Sequence, residues 1–264
     1  MLETLHHGIR WIHIGFGFVG LAAFWGPVFA KKGGPWHVRC GKVFVFCGYV
    51  VGLTALATSL WALADPLSFF SNANPTPEQL AAGAAEIRFF FGILACLSLL
   101  LLSAIENGLG VIRTRHEPDR PNPRRRIACA LVGLGGALLL AAGAWGLLAN
   151  DDSREYVRIG LGALLVVGAR SRWQHILDPR PTPMTWWYRH MQGMLGAGIA
   201  FHTAFAVFGS NRIFHFQLEG PWALVPWVLP PMIGIAGTNI WVRYYQRKFG
   251  ERTPSPPSAQ QVEA

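Results

Sequence analysis

Seven apolar segments, each about as long as a membrane-spanning helix, follow one another along this chain of 264 residues. An α-helix of about 20 apolar residues crosses the hydrocarbon core of a bilayer. Hydrophobic residues make up 52% of the chain and charged residues only 14%. The pattern predicts an all-α integral membrane bundle, because helices satisfy their own backbone hydrogen bonds inside lipid. We expect seven transmembrane helices, over residues 8–30, 36–64, 87–112, 127–149, 156–171, 189–209 and 220–245.

The basic residues support seven crossings and predict an orientation. Most of the 23 lysines and arginines lie in every second connection and in the C-terminal tail. Such connections stay on the cytoplasmic side, so we expect the N-terminus outside and the C-terminus inside. The fifth segment has a short unbroken apolar run, and we expect its Arg158 to extend to the interface. Omitting this segment would put basic connections on both sides. We expect one transmembrane domain over 1–249 and a disordered cytoplasmic tail over 250–264.

The net charge of +9 does not indicate nucleic-acid binding, because the basic residues lie in short connections between apolar segments. Phosphate-rich lipid headgroups are the expected counter-charge. The first apolar segment continues to Ala30, beyond the roughly 7–15 residues of a signal-peptide core, so we expect no cleaved signal peptide. The four cysteines form no CxxC pair and predict packing residues without disulfides: Cys40, Cys47, Cys96 and Cys129.

Four histidines are the candidate ligands, since an ionisable side chain within a membrane span indicates function by default. His13 lies in the outer half of the first helix and His37 opens the second helix at the inner surface. About 25 Å of helix separates His13 from that surface, so the two cannot bind one metal. The sixth helix carries His190 at its inner start and His202 about 18 Å further along. We predict an outer pair, His13 with His202, and an inner pair, His37 with His190.

Paired histidines at two depths favour haem ligation, and two stacked haems would carry electrons across the bilayer. Haem b is therefore the expected cofactor, with the four histidines as axial ligands. One point opposes this: His190 and His202 lie some 120° apart around their helix axis. The alternative is that the inner histidines contact headgroups while His13 and His202 hydrogen-bond to neighbouring helices. His116 and His175, in inner connections, are possible replacements for His190.

Glu106 is the one acidic residue within a predicted apolar span. A buried carboxyl group is either paired or neutral, so we predict a proton-handling catalytic role or a structural pair with an inner arginine or His37. The many basic groups at that end favour the structural pair. The last helix contains Pro226, Pro230 and Pro231, which we expect to kink it, and broken helices often line transport sites.

A motif within the first 50 residues or so provides a resemblance to a known family. It consists of His13, Gly15, Leu21, Gly26-Pro27-Val28, Lys31-Lys32-Gly33, His37 and Gly41-Lys42-Val43-Phe44, with Arg189-His190-Met191 as a looser match later. In these residues the chain resembles an uncharacterised family of bacterial multi-pass membrane proteins, the domain of unknown function 2306. The resemblance implies that His13, His37 and His190 belong together, in a bacterial inner membrane, and carries no activity with it. The bundle is also similar, at the level of fold alone, to b-type cytochromes.

The sequence thus predicts a b-type-cytochrome-like protein that moves electrons between a quinol or cytoplasmic donor and an outer acceptor. Its expected partners are the lipid bilayer, a quinone and a redox protein. One alternative is a transporter of small molecules or ions that uses Glu106 and the kinked last helix. The other is a non-catalytic membrane subunit or assembly factor, whose histidines and glycines only pack helices.

Overall fold

The computed structural model of the protein describes residues 2–69, 76–117, 122–150, 152, 154–177, 182–214 and 220–251. Within these residues the chain is helical and contains no strand, which confirms the all-α prediction. The helices are α1 Leu2–Phe29, α2 Pro35–Ala64, α3 Pro77–Arg113, α4 Pro123–Asn150, α5 Glu155–Leu177, α6 Thr185–Ala204, the short α7 Ser210–Phe214 and α8 Val225–Lys248. A π-helical turn, Phe205–Gly209, continues α6 into α7.

The start of α3 differs from the predicted one. A capping box begins the helix: the backbone N–H of Gln79 donates to Thr76 Oγ1 at 3.3 Å, and that of Thr76 donates to Gln79 Oε1 at 3.1 Å. These bonds satisfy N–H groups that a helix start leaves unpaired. The third helix therefore begins ten residues earlier than the predicted position 87, and is 37 residues long.

Within the described part of the chain, six helices are long and apolar enough to cross a membrane, so the protein is a multi-pass membrane protein. The exception is α5, which nevertheless lies antiparallel to α4 over its length. Cys129 Sγ donates to the carbonyl of Ala169 at 3.1 Å near one end, and Gly146 contacts Glu155 near the other. Arg158, which we expected to extend to the interface, pairs with Glu155 at 3.0 Å.

The long helix α3 is the centre of the bundle, with α2, α4 and α6 packed around it. Two clusters of buried side chains lie on its two sides. One joins α3 to α2 and α6, and consists of Phe44, Leu101, Ala104, Ile105, Ala197, Ala200 and Phe201. The other joins α3 to α4 and α5, and consists of Ile93, Cys96, Leu97, Cys129, Val132, Leu139, Leu165 and Ala169.

The helix that we expected to be kinked by prolines is continuous from Val225 to Lys248. Pro226 lies in its first turn, where a missing N–H group costs nothing. Pro230 and Pro231 are adjacent, so the hydrogen bonds that they remove are confined to one turn. The helix is thus unbroken at these prolines, and a kink there stays a prediction.

The backbones of α3 and α6 meet at Gly108 and Gly193. A Cβ atom added at Gly193 would lie 2.6 Å from the Cα of Gly108 and 2.9 Å from the carbonyl oxygen of Ala104. Only a residue without a side chain fits against backbone atoms at that distance. Close approach through small residues is a common way for membrane helices to associate.

We expect Gly193→Ala to lower the free energy of unfolding by about 1–3 kcal/mol, because the added methyl group must push two backbones apart. Gly196→Ala is the matched control on the same helix, since its Cβ would lie 3.9 Å from the Cβ of Ala104, an ordinary contact. Thermal unfolding of both variants in detergent tests this. Equal stability of the two variants would contradict the close crossing.

The ends of α6 and α8 are joined by Glu251. Its carboxylate accepts hydrogen bonds from Tyr188 Oη at 2.8 Å, from Thr182 Oγ1 at 2.7 Å and from the backbone N–H of Met184 at 2.9 Å. Burial acts to raise the pKa of Glu251, but these hydrogen bonds outweigh it and hold the pKa below its usual value. Glu251 falls within the predicted disordered tail, whose other residues from 252 to 264 lie outside the described part of the chain.

The lowered pKa of Glu251 predicts a pH-dependent contact. The contact is fully present above the ordinary glutamate pKa of about 4.3, and is lost as the pH falls through the lower folded value. Trp187, whose ring centre lies 5.7 Å from that of Tyr245, should report the loss as a change in tryptophan fluorescence. Glu251→Gln should remove this transition, and an unchanged transition in that variant would assign it to another group.

Candidate functional site

The candidate site lies around His37 and His190. The last carbonyl groups of α1 form one of its walls. A helix end leaves such groups unpaired, and they must find other donors. Lys32 Nζ donates to the carbonyl oxygens of Pro27 and Val28, both at 2.7 Å, and lies 5.1 Å from the ring centre of Trp241 on α8. Burial lowers the pKa of Lys32. The tight turn that brings Lys32 back over α1 includes Gly33, whose φ of 76° favours glycine.

His37 lies in the first turn of α2, directly after this turn of the chain. Its Nδ1 is 3.2 Å from the carbonyl oxygen of Pro27. A carbonyl oxygen only accepts, so Nδ1 carries the hydrogen in this contact. In the neutral ring the lone pair is therefore on Nε2.

His190 reaches the same place from α6. Its Nδ1 donates to the carbonyl oxygen of Gly108 at 2.9 Å, which assigns the lone pair of the neutral ring to Nε2 here as well. The contact depends on the crossing of α3 and α6, because Gly193 lies one turn further along α6 and brings the two backbones together. The position of the His190 ring thus depends on the close packing of two glycines, Gly108 and Gly193.

The rings of His37 and His190 lie next to each other, with their centres 6.5 Å apart and an angle of 62° between their planes. Histidine ligands usually donate their other N–H to a carbonyl or carboxylate, as both rings do here. The structure therefore places the rings of the predicted inner pair side by side, each oriented by a backbone carbonyl.

The predicted outer pair is wrong, because the structure keeps His13 and His202 apart. His13 Nδ1 lies 3.0 Å from Thr54 Oγ1 on α2. His202 donates from Nδ1 to the carbonyl of Gly198 at 2.7 Å, and its ring centre is 5.0 Å from that of Phe24. Phe24 is 11 residues beyond His13, about 16 Å along α1. A side chain on a helix points back towards the N-terminus, which moves the ring of His202 away from His13.

His37 and His190 provide two protein ligands, and this number limits which metal centre they could hold. Among the described residues, no group of three or more His, Cys, Asp and Glu side chains is placed to hold a metal ion. A structural zinc site usually takes four protein ligands. Haem supplies ring nitrogens of its own and takes only axial ligands from the protein. Two imidazoles are too few for a structural zinc site, and they are the number of protein ligands that a haem iron could take.

Glu106 contacts a residue that the sequence analysis missed. Tyr49 Oη, on α2, donates to Glu106 Oε1. Glu106 Oε2 is buried without a hydrogen-bond donor and lies 3.7 Å from Arg113 Nη1. The ion pair with Arg113 is the structural alternative that the sequence favoured, whereas His37 is not a partner. Tyr49 gave no signal because a tyrosine within an apolar run is typical of ordinary helix packing.

No family model, curated protein or solved structure matches this chain. The resemblance to the family of unknown function therefore stays a prediction that rests on its motif.

The bond between Tyr49 and Glu106 predicts energetic coupling. Tyr49→Phe leaves Glu106 Oε1 without its donor, and we expect it to lower the free energy of unfolding by about 1–3 kcal/mol. The double variant with Glu106→Gln should cost less than the two single changes added together. Tyr156→Phe is the control: its side chain is exposed, and we expect a change within about 0.5 kcal/mol. Strict additivity would contradict the contact.

Proposed function

We propose that the protein is a membrane redox protein with one haem b, which His37 and His190 would hold through their Nε2 atoms. The observation that supports this best is the 6.5 Å separation of two imidazole rings that both donate from Nδ1 to backbone carbonyls. An iron bound there would supply one-electron chemistry. The Nδ1 hydrogen bonds orient the rings and increase the basicity of Nε2.

Lys32 adds a charge suited to this group. Two of its three ammonium hydrogens are used by carbonyl oxygens, so one remains for an anionic group such as a haem carboxylate. Its positive charge next to His37 also favours the reduced, less positive state of a metal centre. Lys32 thus serves in binding and in tuning the potential.

Because only one of the two predicted histidine pairs comes together, the proposed electron path differs from the predicted one. A pathway across the bilayer needed a second, outer haem between His13 and His202, but His202 lies beside Phe24, which is about 16 Å along α1 from His13. We therefore propose electron exchange at the end of the bundle that carries the basic connections. By the positive-inside rule this is the cytoplasmic face, in a bacterial inner membrane.

Glu106 is the proposed proton acceptor. Quinol oxidation releases protons together with electrons, and a membrane quinol is the donor that the setting in lipid favours. Oε2 of Glu106 is buried and without a hydrogen-bond donor, so it is an available acceptor. Tyr49 and Arg113 hold the carboxyl group in place by a hydrogen bond and an ion pair.

The absorption spectrum of the purified protein, oxidised and then reduced with dithionite, tests the proposal. We expect haem bands that His37→Ala and His190→Ala each abolish. His13→Ala and His202→Ala are matched controls in neighbouring membrane spans and should keep the bands, since neither residue lies beside another histidine. A colourless wild type after expression with haem supplied would refute the proposal, as would bands that depend on His13 or His202.

One observation favours a second candidate, a cation or proton transporter. The hydrogen-bond-free Glu106 Oε2 within a membrane span is typical of an ion pathway. In that case the protein should be colourless, and Glu106→Gln should abolish uptake into vesicles. Glu78→Gln, at an exposed position of the same helix, is the control.

A further inference from the structure

A second polar cluster lies on the other side of α3, away from the histidines. It joins three helices at the end of the bundle where α4 begins. Arg125 Nε, on α4, donates to Asn107 Oδ1 at 3.3 Å, and Arg172 Nη1, on α5, donates to Ser103 Oγ at 3.2 Å. Asn107 Nδ2 in turn donates to the carbonyl oxygen of Ser103 at 2.8 Å. Both arginines therefore converge on one buried amide and hydroxyl pair of α3.

The cluster contains two positive charges and no negative one. Each guanidinium has five N–H donors, and each uses one of them in these side-chain contacts. No carboxylate of a described residue forms an ion pair with either arginine. The nearby Cys129 offers no compensation, because its buried thiol donates to the carbonyl of Ala169.

The positions of both arginines are built into the bundle. The aliphatic part of Arg125 rests on α3 at Gly110, where an added Cβ atom would lie 2.4 Å from Arg125 Cδ. Arg172 and Arg125 are at matching depths, because α4 and α5 are antiparallel and Cys129 is bonded to Ala169. The first turn of α4 adds positive charge, since it contains Arg124 and Arg126 and no acidic residue. A helix N-terminus is itself positive, which strengthens the attraction for an anion.

We infer that Arg125 and Arg172 together bind a phosphate group at this end of the bundle. Half-buried cations without a counter-charge are costly, and a bound anion would remove that cost. The planar guanidinium fork matches the oxygens of phosphate in two-point hydrogen bonds. Basic pockets between transmembrane helices are typical sites for anionic headgroups. The phosphate belongs either to an anionic phospholipid or to free inorganic phosphate, both of which present negatively charged non-bridging oxygens.

The test uses the full chain in phosphatidylcholine nanodiscs. Its thermal unfolding midpoint is measured with phosphatidylglycerol added to the lipid, and separately with inorganic phosphate added to the buffer. We expect one of the two additions to raise the midpoint. A response to phosphatidylglycerol alone identifies a lipid site, and a response to inorganic phosphate identifies a site for the free ion.

Matched variants assign the response to the two arginines. Arg125→Gln and Arg172→Gln should each weaken apparent affinity at least tenfold, the loss expected when a charge-assisted hydrogen bond is removed. Arg170→Gln changes an exposed arginine on α5, two residues from Arg172, and should leave the affinity within about twofold. Arg125→Lys and Arg172→Lys keep the positive charge but lose the planar guanidinium group, and should bind with an affinity between those of the wild type and the glutamine variants. They serve as the test if the glutamine variants fail to fold.

Two outcomes would overturn the inference. One is a midpoint that neither addition raises in the wild-type protein. The other is equal weakening in the variants of exposed and half-buried arginines, because that would indicate general attraction of anions to a basic surface.

Discussion

The backbone crossing at Gly108 and Gly193 is the constraint on which the arrangement of the bundle depends. Lipid is as apolar as the side chains, so helices in a membrane gain their association from close packing. At this crossing the backbone of α6 at Gly193 lies directly against the backbone of the central helix α3, and the side chain of Met194 packs over Gly108. The same approach brings the ring of His190 to the carbonyl oxygen of Gly108, one turn from the contact. Packing and the placement of a polar group are therefore one feature here.

Unpaired backbone carbonyls organise the histidine site as much as the histidines do. The end of α1 offers carbonyl oxygens that no later turn of helix can satisfy. Lys32 and His37 donate to them, which ties the start of α2 to the end of α1. The consequence for chemistry is that the free nitrogen of each ring is determined by the backbone. Tautomer choice of this kind is what prepares imidazoles for a metal.

The charged side chains on the two sides of α3 have different kinds of partner. On the side of α2, Glu106 is held between a phenol and an arginine, so its charge has partners within the protein. On the side of α4 and α5, the side-chain oxygens that the two arginines contact among the described residues are neutral, and this is the observation behind the proposed phosphate site. Burying a charge in lipid is costly, so the partners of a buried charge indicate where a proton or an anion would bind.

The sequence alone determined the all-α membrane architecture, because a helix must satisfy its own backbone in lipid and the lengths of the apolar segments follow from that requirement. It also predicted a depth for each histidine, from the constant rise per residue along a helix. Depth was enough for His37 and His190, whose rings meet, and it failed for His202, whose ring lies beside Phe24. Which faces of the helices meet, which way a side chain points and which partner Tyr49 finds were decided only by tertiary packing. The physical reason is that helix rotation depends on contacts between residues far apart in the chain, such as Gly108 and Gly193, and these leave no local pattern in the sequence.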